Sequence, residues 1–412
     1  MGENVTLGRQ CFADAASGLT KKAPGSQGAP GEIQHLRYGD EDMIKNGLTT
    51  GAALLLTTSM AGAVGLDRSN QDITAIFETG NYAELSFGYV TPNLTGVDVL
   101  GNSIDNVGNA FSQLGGSIKM DVNDQMSFAF IIDQPFGADV TYGGAALTTM
   151  LGGTEAILNS TAFTALGRYK INENFSVHGG LRYQTLEADI TLSGLAYGPL
   201  NGYNVLLENG TGTGYVAGVA YERPAIALRV ALTYQSAITN TFDTTETSPL
   251  GVTFGTTEVE SPEAWNLDFQ TGIAANTLLF GQIRHTTYSQ TILTPTTFGA
   301  LTGGASITDI EDGTSYTIGV GRKVSDAFSG SISLGYEAEG SDDLVSPLSP
   351  TNGLMSVSIG GQYTMDNLVF SGGVRYSMLG DARPETGTPD EARAQFTDGD
   401  ALSVGLSVGF RF

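Results

Sequence analysis

The last twelve residues alternate strictly between large apolar side chains and small or polar ones. The large apolar positions are Leu402, Val404, Leu406, Val408, Phe410 and Phe412. The intervening positions are Ala401, Ser403, Gly405, Ser407, Gly409 and Arg411. A period of two places these sets on opposite faces of a strand. An apolar face opposite one of small and polar residues is typical of a strand between lipid and a polar lumen.

Comparable runs recur along the whole chain from residue 81 onward. We identify fourteen, at about 81–91, 110–120, 124–133, 161–171, 174–188, 212–222, 224–236, 265–274, 276–289, 313–323, 326–338, 354–364, 367–378 and 400–412. Six very short connections alternate with seven long ones, and only the long connection over 143–158 has a possible helix. An even number of strands closes without a free edge, as lipid requires. The pattern predicts an all-β fold, a 14-stranded antiparallel transmembrane β-barrel over residues 81–412.

The lumen-facing side of these strands is predicted to carry a set of basic side chains. They are Lys119, Arg168, Lys170, Arg182, Arg229, Arg284, Arg375 and Arg411. A charge on the lipid face costs about 2–4 kcal/mol at mid-bilayer, which alone would turn these side chains inward. Alternatively, Arg168, Arg182 and Arg229 bind the carboxylate of an anionic ligand, for which a guanidinium offers paired donors.

Two long connections, 143–158 and 189–211, are unusually apolar for an exposed rim. Exposed apolar surface often marks a binding site. We therefore expect these connections to capture a hydrophobic ligand, although they could instead pack on each other as a lid. The candidate ligand-binding residues in them are Leu147, Met150, Leu151, Leu195, Tyr197 and Leu206.

The front of the chain reads as an export signal followed by a short plug. Residues 43–63 combine an early lysine, an apolar stretch and a small-residue cleavage site, which predicts a signal peptide. Residues 1–42 then form an over-extended or disordered N-terminus. Residues 64–80 are too short for a domain and contain apolar side chains that suit the barrel interior better than water. We predict that they form a hatch inside the lumen and contribute to ligand binding through Leu66, Ile73, Ile76 and Phe77.

Composition narrows the possible functions. The net charge is -24, with 15% charged residues and 56 glycines, which fits a membrane barrel and excludes a basic nucleic-acid-binding surface. Cys11 is the single cysteine, so a disulfide framework is excluded. The three histidines, His35, His178 and His285, have no metal-ligand spacing, and neither His178 nor His285 has a nucleophile signal beside it. We predict no metal, no cofactor and no enzymatic activity.

Four stretches carry a family resemblance: GLDRSNQDITAIFETGNYAELSFGYVTPNLTG (65–96), FIIDQPFGADVTY (130–142), VESPEAWNLDFQTGIA (259–274) and GLSVGFRF (405–412). They resemble the FadL-type long-chain fatty acid transporters of Gram-negative outer membranes. The first two are the most specific, because a terminal phenylalanine is shared by many outer-membrane barrels. The predicted hatch lacks the Asn-Pro-Ala stretch of some members of the family.

This resemblance implies passive uptake of hydrophobic compounds, with long-chain fatty acids as the first expectation. The resemblance also implies that ligand is captured at outer loops, that a hatch movement opens a path, and that release runs sideways at a kinked third strand. Proline and glycine weaken strand pairing, which places the gating residues at Asp133, Pro135, Phe136 and Gly137. Aromatic hydrocarbons and a general porin remain alternatives.

The remaining expectations concern location and partners. The protein is expected to be a monomer in the Gram-negative outer membrane, in contact with lipid and lipopolysaccharide. The strand that ends at Phe412 is expected to be recognised by the barrel-assembly machinery. A structural or adhesion barrel that works through its loops is a further alternative.

Overall fold

The computed structural model describes residues 66–387 and 390–412. The predicted N-terminal tail, 1–42, and the predicted signal peptide, 43–63, lie outside these residues. Within the described ranges, no helix is both long and apolar enough to cross a membrane.

Strands dominate the described chain. They are β1 (Tyr82–Asn93), β2 (Gly96–Asp98), β3 (Ser103–Ile104), β4 (Phe111–Asp121), β5 (Met126–Asp133), β6 (Gly137–Thr141), β7 (Glu155–Lys170), β8 (Phe175–Leu192), β9 (Tyr203–Arg223), β10 (Leu228–Gln235), β11 (Ile238–Ser248), β12 (Gly251–Ser261), β13 (Ala264–Ala274), β14 (Thr277–Thr286), β15 (Gly313–Lys323), β16 (Phe328–Glu337), β17 (Leu344–Val345), β18 (Leu354–Met365), β19 (Leu368–Leu379), β20 (Arg383–Thr386), β21 (Glu391–Ala392), β22 (Ala394–Phe396) and β23 (Asp400–Arg411). The helices are α1 (Thr296–Thr302) and short 3-10 turns at Thr74–Phe77, Leu195–Leu200, Pro224–Ile226 and Tyr288–Gln290.

One antiparallel sheet of seventeen segments closes into the barrel. Three barrel strands are each divided into two segments: β5 continues as β6, β10 continues as β11, and β12 continues as β13. The segments therefore make fourteen strands. Closure is made by β1, which pairs with both β23 and β4, so that Tyr82 lies opposite Arg411 on one side and Lys119 on the other. The predicted fourteen-stranded antiparallel barrel is confirmed.

The two faces of the strands follow the predicted alternation. In β23, Leu402, Leu406 and Phe410 are exposed, whereas Ser403 and Ser407 are buried. Of the eight basic residues predicted to face the lumen, Lys119, Arg168, Arg182, Arg229, Arg284 and Arg375 are buried. Lys170 is exposed and Arg411 is half-buried, both at strand ends. The outer wall is therefore apolar and these six basic side chains are enclosed, as expected of a wall between lipid and a polar interior.

The long connections contain more regular structure than the sequence indicated. The predicted loop 134–160 includes β6 and the start of β7, with turns rather than a helix between them. The predicted loop 237–264 is a hairpin of β11 and β12, and the predicted loop 290–312 contains α1. Strands that project beyond lipid need no apolar face, so a search for lipid-facing alternation does not detect them.

Candidate functional site

Residues 66–80, here called the inner segment, are fixed to the barrel wall by a buried ion pair. The Asp67 carboxylate accepts two hydrogen bonds from the Arg284 guanidinium of β14, at 2.8 and 2.9 Å. The Thr286 hydroxyl donates to the same carboxylate at 3.2 Å. The exposed fractions of the Arg284 and Asp67 side chains are 0% and 1%. Removing either partner of a buried ion pair of this kind strongly destabilises the folded protein, because the remaining charge stays buried without compensation.

Other strands hold the backbone of the inner segment. Gln235 of β10 and Asn266 of β13 donate to two of its carbonyl oxygens, at 2.6 and 3.0 Å. Lys119 of β4 donates to the Gly80 carbonyl oxygen at 2.9 Å. Because these strands and β14 stand at different points of the circumference, the inner segment lies within the lumen.

Phe77 is clamped between two cations. The guanidinium carbons of Arg168 and Arg229 lie 4.6 and 4.7 Å from the centroid of its ring. The His178 and Phe77 rings form a T-shaped contact, with their centroids 5.6 Å apart. Cation–π contacts of desolvated groups contribute up to about 2 kcal/mol each. This clamp therefore fixes the C-terminal part of the inner segment.

The predicted ligand-binding residues Ile73, Ile76 and Phe77 pack against the barrel wall. They form one buried cluster with Ala129, Ile131, Leu166, Val216, Ala220 and Ala231. In this conformation the cluster anchors the inner segment and leaves these side chains covered.

The barrel wall contains one stretch without a hydrogen-bonded ladder between β4 and the β5–β6 strand. On one side of this stretch, β4 pairs with β5 as far as Gly116 opposite Ile132. On the other side, pairing resumes where Gly108 bridges Val140. We call the unpaired stretch, between residues 110–115 and 133–138, the wall window. It coincides with the predicted kink, where Pro135 has no N–H to donate.

The side chains of Arg68 and Gln134 occupy the wall window, where the Leu114 N–H donates to the Gln134 Oε1 at 2.8 Å. Arg68 lies between the two strands. Its guanidinium carbon lies 3.9 Å from the centroid of the Phe111 ring at the start of β4. On the other side the guanidinium lies so close to Gly137 that a Cβ there would be 2.2 Å from the Arg68 Cζ. Arg68 is 7% exposed. It lines a cavity of about 100 Å³ at the wall window, whose walls also include Leu114 and Ile132, two exposed positions on the lipid-facing side.

The backbone of the inner segment pairs with the kink. The Arg68 N–H donates to the Pro135 carbonyl oxygen at 2.8 Å, and the Gly137 N–H donates to the Leu66 carbonyl oxygen at 2.9 Å. These bonds flank a bridge between Asp67 and Phe136. Movement of the inner segment would therefore release the backbone on both sides of the kink.

Asp133 ties the same region to two further groups. Its carboxylate accepts two hydrogen bonds from Arg182, both 2.9 Å, and one from the Ser69 hydroxyl at 2.6 Å. The structure thus brings all four predicted gating residues, Asp133, Pro135, Phe136 and Gly137, against the inner segment. Their role in gating remains a prediction.

An apolar cavity of about 80 Å³ lies on the opposite side of the kink, towards the long connections. Its lining consists of Leu66, Phe136, Ala138, Ala156, Ile157, Leu158, Leu186, Ala188, Ile190, Leu207, Asn240, Phe242, Val259, Ser261, Pro262, Tyr288, Thr291, Leu293, Thr308, Ile310, Ser346 and Leu348. None of these side chains is charged. Of the predicted ligand-binding residues, this cavity includes Leu66 alone; of the predicted gating residues it includes Phe136.

The other apolar candidates lie in the long connections. Met150 and Leu151 are buried in a cluster that also contains Tyr142 and Phe396. Tyr197 packs against both this cluster and the one around the apolar cavity. The connections therefore pack on one another, in agreement with the lid alternative. Three candidates stand apart: Leu147 is 79% exposed, Leu195 is 43% exposed and Leu206 is half-buried, between its buried neighbours in β9.

The three arginines predicted to bind a carboxylate have partners inside the protein. Arg168 forms an ion pair with Glu222, and Arg182 forms one with Asp133. Arg229 contacts the Phe77 ring. None of the three lines the apolar cavity.

One acidic group among the described residues could hold a cation. Carboxylate oxygens of Asp309, Glu385 and Asp390 lie within 4.8 Å of one another in the long connections. Partial burial and the neighbouring carboxylates, chiefly Asp390 and Asp309, raise the pKa of Glu385 to about 7. Acidic groups on exposed loops are common without an ion, so we assign no metal here.

Sequence reasoning missed Arg68, Arg284 and the polar groups of the apolar cavity as site residues. The adjacent opposite charges of Asp67 and Arg68, in a short segment that enters an apolar barrel, indicate that this segment needs charged partners, but they identify neither Arg284 nor the position of Arg68 in the wall. The cavity residues Tyr288 and Thr291 follow β14 in a connection without clear periodicity, which gives no comparable signal.

Solved structures of other outer-membrane transporters share the fold of this chain. The crystal structure of a Pseudomonas aeruginosa FadL homologue has a TM-score of 0.65 and 14% identity, covering 86% of this chain and 96% of that one. The Pseudomonas putida toluene transporter TodX has a TM-score of 0.59 and 15% identity, covering 82% and 92%. The Ralstonia pickettii toluene transporter TbuX has a TM-score of 0.58 and 13% identity, covering 86% and 99%. At these identities the likeness establishes the fold. No curated protein sequence matches the chain.

A family model decides the membership. The model described as outer membrane protein transport protein (OMPP1/FadL/TodX) matches residues 95–412, which is most of the chain. Proteins of this family are transport channels in the Gram-negative outer membrane and are not enzymes. The chain therefore belongs to the OMPP1/FadL/TodX family and is an outer-membrane transporter of hydrophobic compounds.

Proposed function

We propose that this protein takes up small, uncharged hydrophobic compounds and binds them in the apolar cavity. The observation that carries the proposal is the cavity lining, which contains no Asp, Glu, Lys or Arg. A pocket of this kind, with a few polar groups in an apolar wall, is the usual form of a small-molecule site.

Charge favours an uncharged ligand over a fatty acid. A carboxylate in the apolar cavity would be desolvated without a cation beside it, and such burial costs several kcal/mol. The arginines that could have balanced it are engaged elsewhere, Arg182 with Asp133 and Arg284 with Asp67. Long-chain fatty acids, our first expectation from the sequence, are thus less well matched than aromatic hydrocarbons.

Size points in the same direction. The cavity, about 80 Å³, is smaller than the engineered cavity of about 150 Å³ that binds benzene, so it accommodates at most a small ring and only with some movement of its walls. A monocyclic aromatic compound has about seven non-hydrogen atoms, whereas a long-chain fatty acid has about eighteen and would require a much larger cavity. The names of the toluene transporters TodX and TbuX fit the smaller class.

We further propose that the inner segment acts as a hatch and that ligand leaves through the wall window. The kink separates the two cavities: Phe136 lines the apolar cavity, while Asp133 and Gln134 line the cavity at the wall window. A shift of the inner segment would free the kink and withdraw Arg68 from the wall window, connecting the two spaces. The apolar side chains of the long connections would then cover the barrel as a lid and would be the first groups that the ligand contacts.

A general porin is supported less well. The inner segment crosses the lumen and is held by strands on several sides, including through Arg284 and Lys119. A barrel whose lumen is occupied in this way should conduct small ions poorly, unlike an open porin.

The test is ligand binding and conductance of the detergent-purified full-length protein. Equilibrium binding with radiolabelled toluene and radiolabelled palmitate should give saturable binding of toluene and weaker binding of palmitate. Planar-bilayer recordings should show a conductance far below that of an open porin. Tight binding of palmitate together with no binding of toluene would refute the ligand class, and a large steady conductance would refute the hatch.

A further inference from the structure

Two hydroxyl groups inside the apolar cavity are left without a well-formed hydrogen bond. The Thr291 Oγ1 is buried and bonds to no group of the described protein. The Tyr288 hydroxyl is also buried; it lies near the Leu66 backbone and the Asp67 carboxylate but forms no hydrogen bond of normal geometry with either. Thr291 and Tyr288 are 8% and 1% exposed. Leaving a buried polar group without a partner costs about 1–3 kcal/mol, so Thr291 above all requires an acceptor or donor from outside the protein.

The other polar groups of the cavity already have partners. The Thr308 hydroxyl donates to the Thr291 carbonyl oxygen at 2.6 Å. The Ser261 hydroxyl donates to the Ile238 carbonyl oxygen at 3.1 Å, and it accepts from Asn240. The unsatisfied hydrogen-bonding capacity is thus concentrated at Thr291 and Tyr288, on the connection that follows β14.

The Asp67 carboxylate lies near the Tyr288 hydroxyl and acts on it electrostatically. Its oxygens are, however, bonded to Arg284 and Thr286. Arg284 balances the Asp67 charge, and no residue that lines the cavity is cationic, so an anionic ligand group beside Tyr288 would find no free positive charge to pair with. Thr291 contributes no charge and can both donate and accept.

We propose that Thr291 and Tyr288 bind an uncharged oxygen of the ligand, a hydroxyl or a carbonyl, while its hydrocarbon part fills the remainder of the cavity. The ligand class is therefore a small aromatic or alicyclic alcohol or ketone rather than a pure hydrocarbon. This inference rests on the proposed function, since it assumes that the apolar cavity is the ligand site.

The experiment measures equilibrium binding of three probes, toluene, benzyl alcohol and benzoate, to the full-length protein in detergent. The variants are Thr291→Val and Tyr288→Phe, which remove a hydroxyl with little change of shape. The matched controls are Thr239→Val and Tyr316→Phe, at exposed positions of β11 and β15. Thermal unfolding of each variant checks that it is folded.

We expect benzyl alcohol to bind the unchanged protein about tenfold more tightly than toluene, and benzoate to bind most weakly. Thr291→Val should weaken benzyl alcohol binding about tenfold and leave toluene binding within about twofold, and Tyr288→Phe should act in the same direction. The control variants should change neither.

Two results would overturn the inference, and they are distinct from failure of the proposed function. One is toluene binding that equals or exceeds benzyl alcohol binding. The other is unchanged benzyl alcohol binding in both Thr291→Val and Tyr288→Phe, which would mean that the hydroxyls bind water only. If none of the three probes binds the unchanged protein, the proposed function itself fails.

Discussion

Replacing Gly137 by alanine should displace Arg68 from the wall window. The added Cβ would lie 2.2, 2.3 and 2.5 Å from the Cζ, Nε and Nη1 atoms of Arg68. Carbon atoms pack at about 3.5–4.0 Å, so the guanidinium must move. The backbone at Gly137 does not itself require glycine, because its φ is not positive. The pairing of Gly137 with Asn159 of β7 can also persist, since it uses backbone groups.

The size of the effect follows from what Arg68 loses. Its contact with the Phe111 ring is worth about 0.5–2 kcal/mol, and overpacking adds a cost of about 1–3 kcal/mol. Loss of the ring contact alone shifts a closed–open equilibrium of the wall window roughly 2- to 30-fold towards the open state. Arg68→Ala should shift it in the same direction by removing the side chain altogether.

The assay is the initial rate of radiolabelled toluene uptake by cells that carry equal amounts of each variant in the outer membrane. Gly137→Ala and Arg68→Ala should both raise the rate, and the double variant should exceed Arg68→Ala alone by little, because the two changes act on one contact. Gly255→Ala is the control, since a Cβ at Gly255 meets no atom within 4 Å. An uptake rate for Gly137→Ala equal to that of the control would refute this account of the wall window.

Three further perturbations test the anchoring of the inner segment and the long connections. Asp67→Ala leaves Arg284 buried without its ionic partner, with only the neutral acceptors Asn266 and Gln71 remaining, and should lower the free energy of unfolding by about 3–5 kcal/mol in urea titrations; a loss below about 1 kcal/mol would contradict the assignment of this anchor. Phe77→Leu removes both cation–π contacts and should raise small-ion conductance in planar bilayers, whereas an unchanged conductance would show that the clamp does not hold the inner segment. The folded-state pKa of Glu385 is about 7, raised above the ordinary value of 4.5, so the folded state holds this proton more tightly than the unfolded state does. The stability contributed by protonated Glu385 is therefore complete below pH 4.5 and is lost as the pH rises through 7. Hydrogen exchange in residues 383–386 should therefore be slower at pH 5.5 than at pH 8, after correction for intrinsic rates, and Glu385→Gln should remove the difference; the same pH dependence in Glu385→Gln would contradict it.

The barrel was predictable because lipid imposes a periodic pattern on every strand that crosses it. The alternation in 400–412 fixes which side chains face outward, and the structure has Leu402 and Phe410 on the outer face accordingly. It also has β23 closing on β1, with Arg411 directed towards Glu78 of the inner segment at 3.4 Å. The facing of the side chains depends on local spacing alone, and the closure of the last strand on the first follows from the even number of strands.

The site was much less predictable, because it depends on contacts between distant parts of the chain. Arg284 pairs with Asp67, 217 positions earlier, and nothing local distinguishes it from the other inward-facing arginines. The arginines predicted to bind a carboxylate instead serve internal ion pairs, as Arg182 does with Asp133. The kink at Pro135 was visible in the sequence, but the residue that fills the gap beside it, Arg68, became identifiable only through the fold.

Whether the apolar cavity binds the ligand can be tested by a crystal structure of the full-length protein soaked with bromobenzene, read by the anomalous signal of bromine. We expect a bromine peak inside the apolar cavity, in contact with Phe136, Phe242 and Leu293. Bromine peaks confined to the outer wall or to the long connections, with the cavity empty, would contradict the assignment of this cavity as the ligand site.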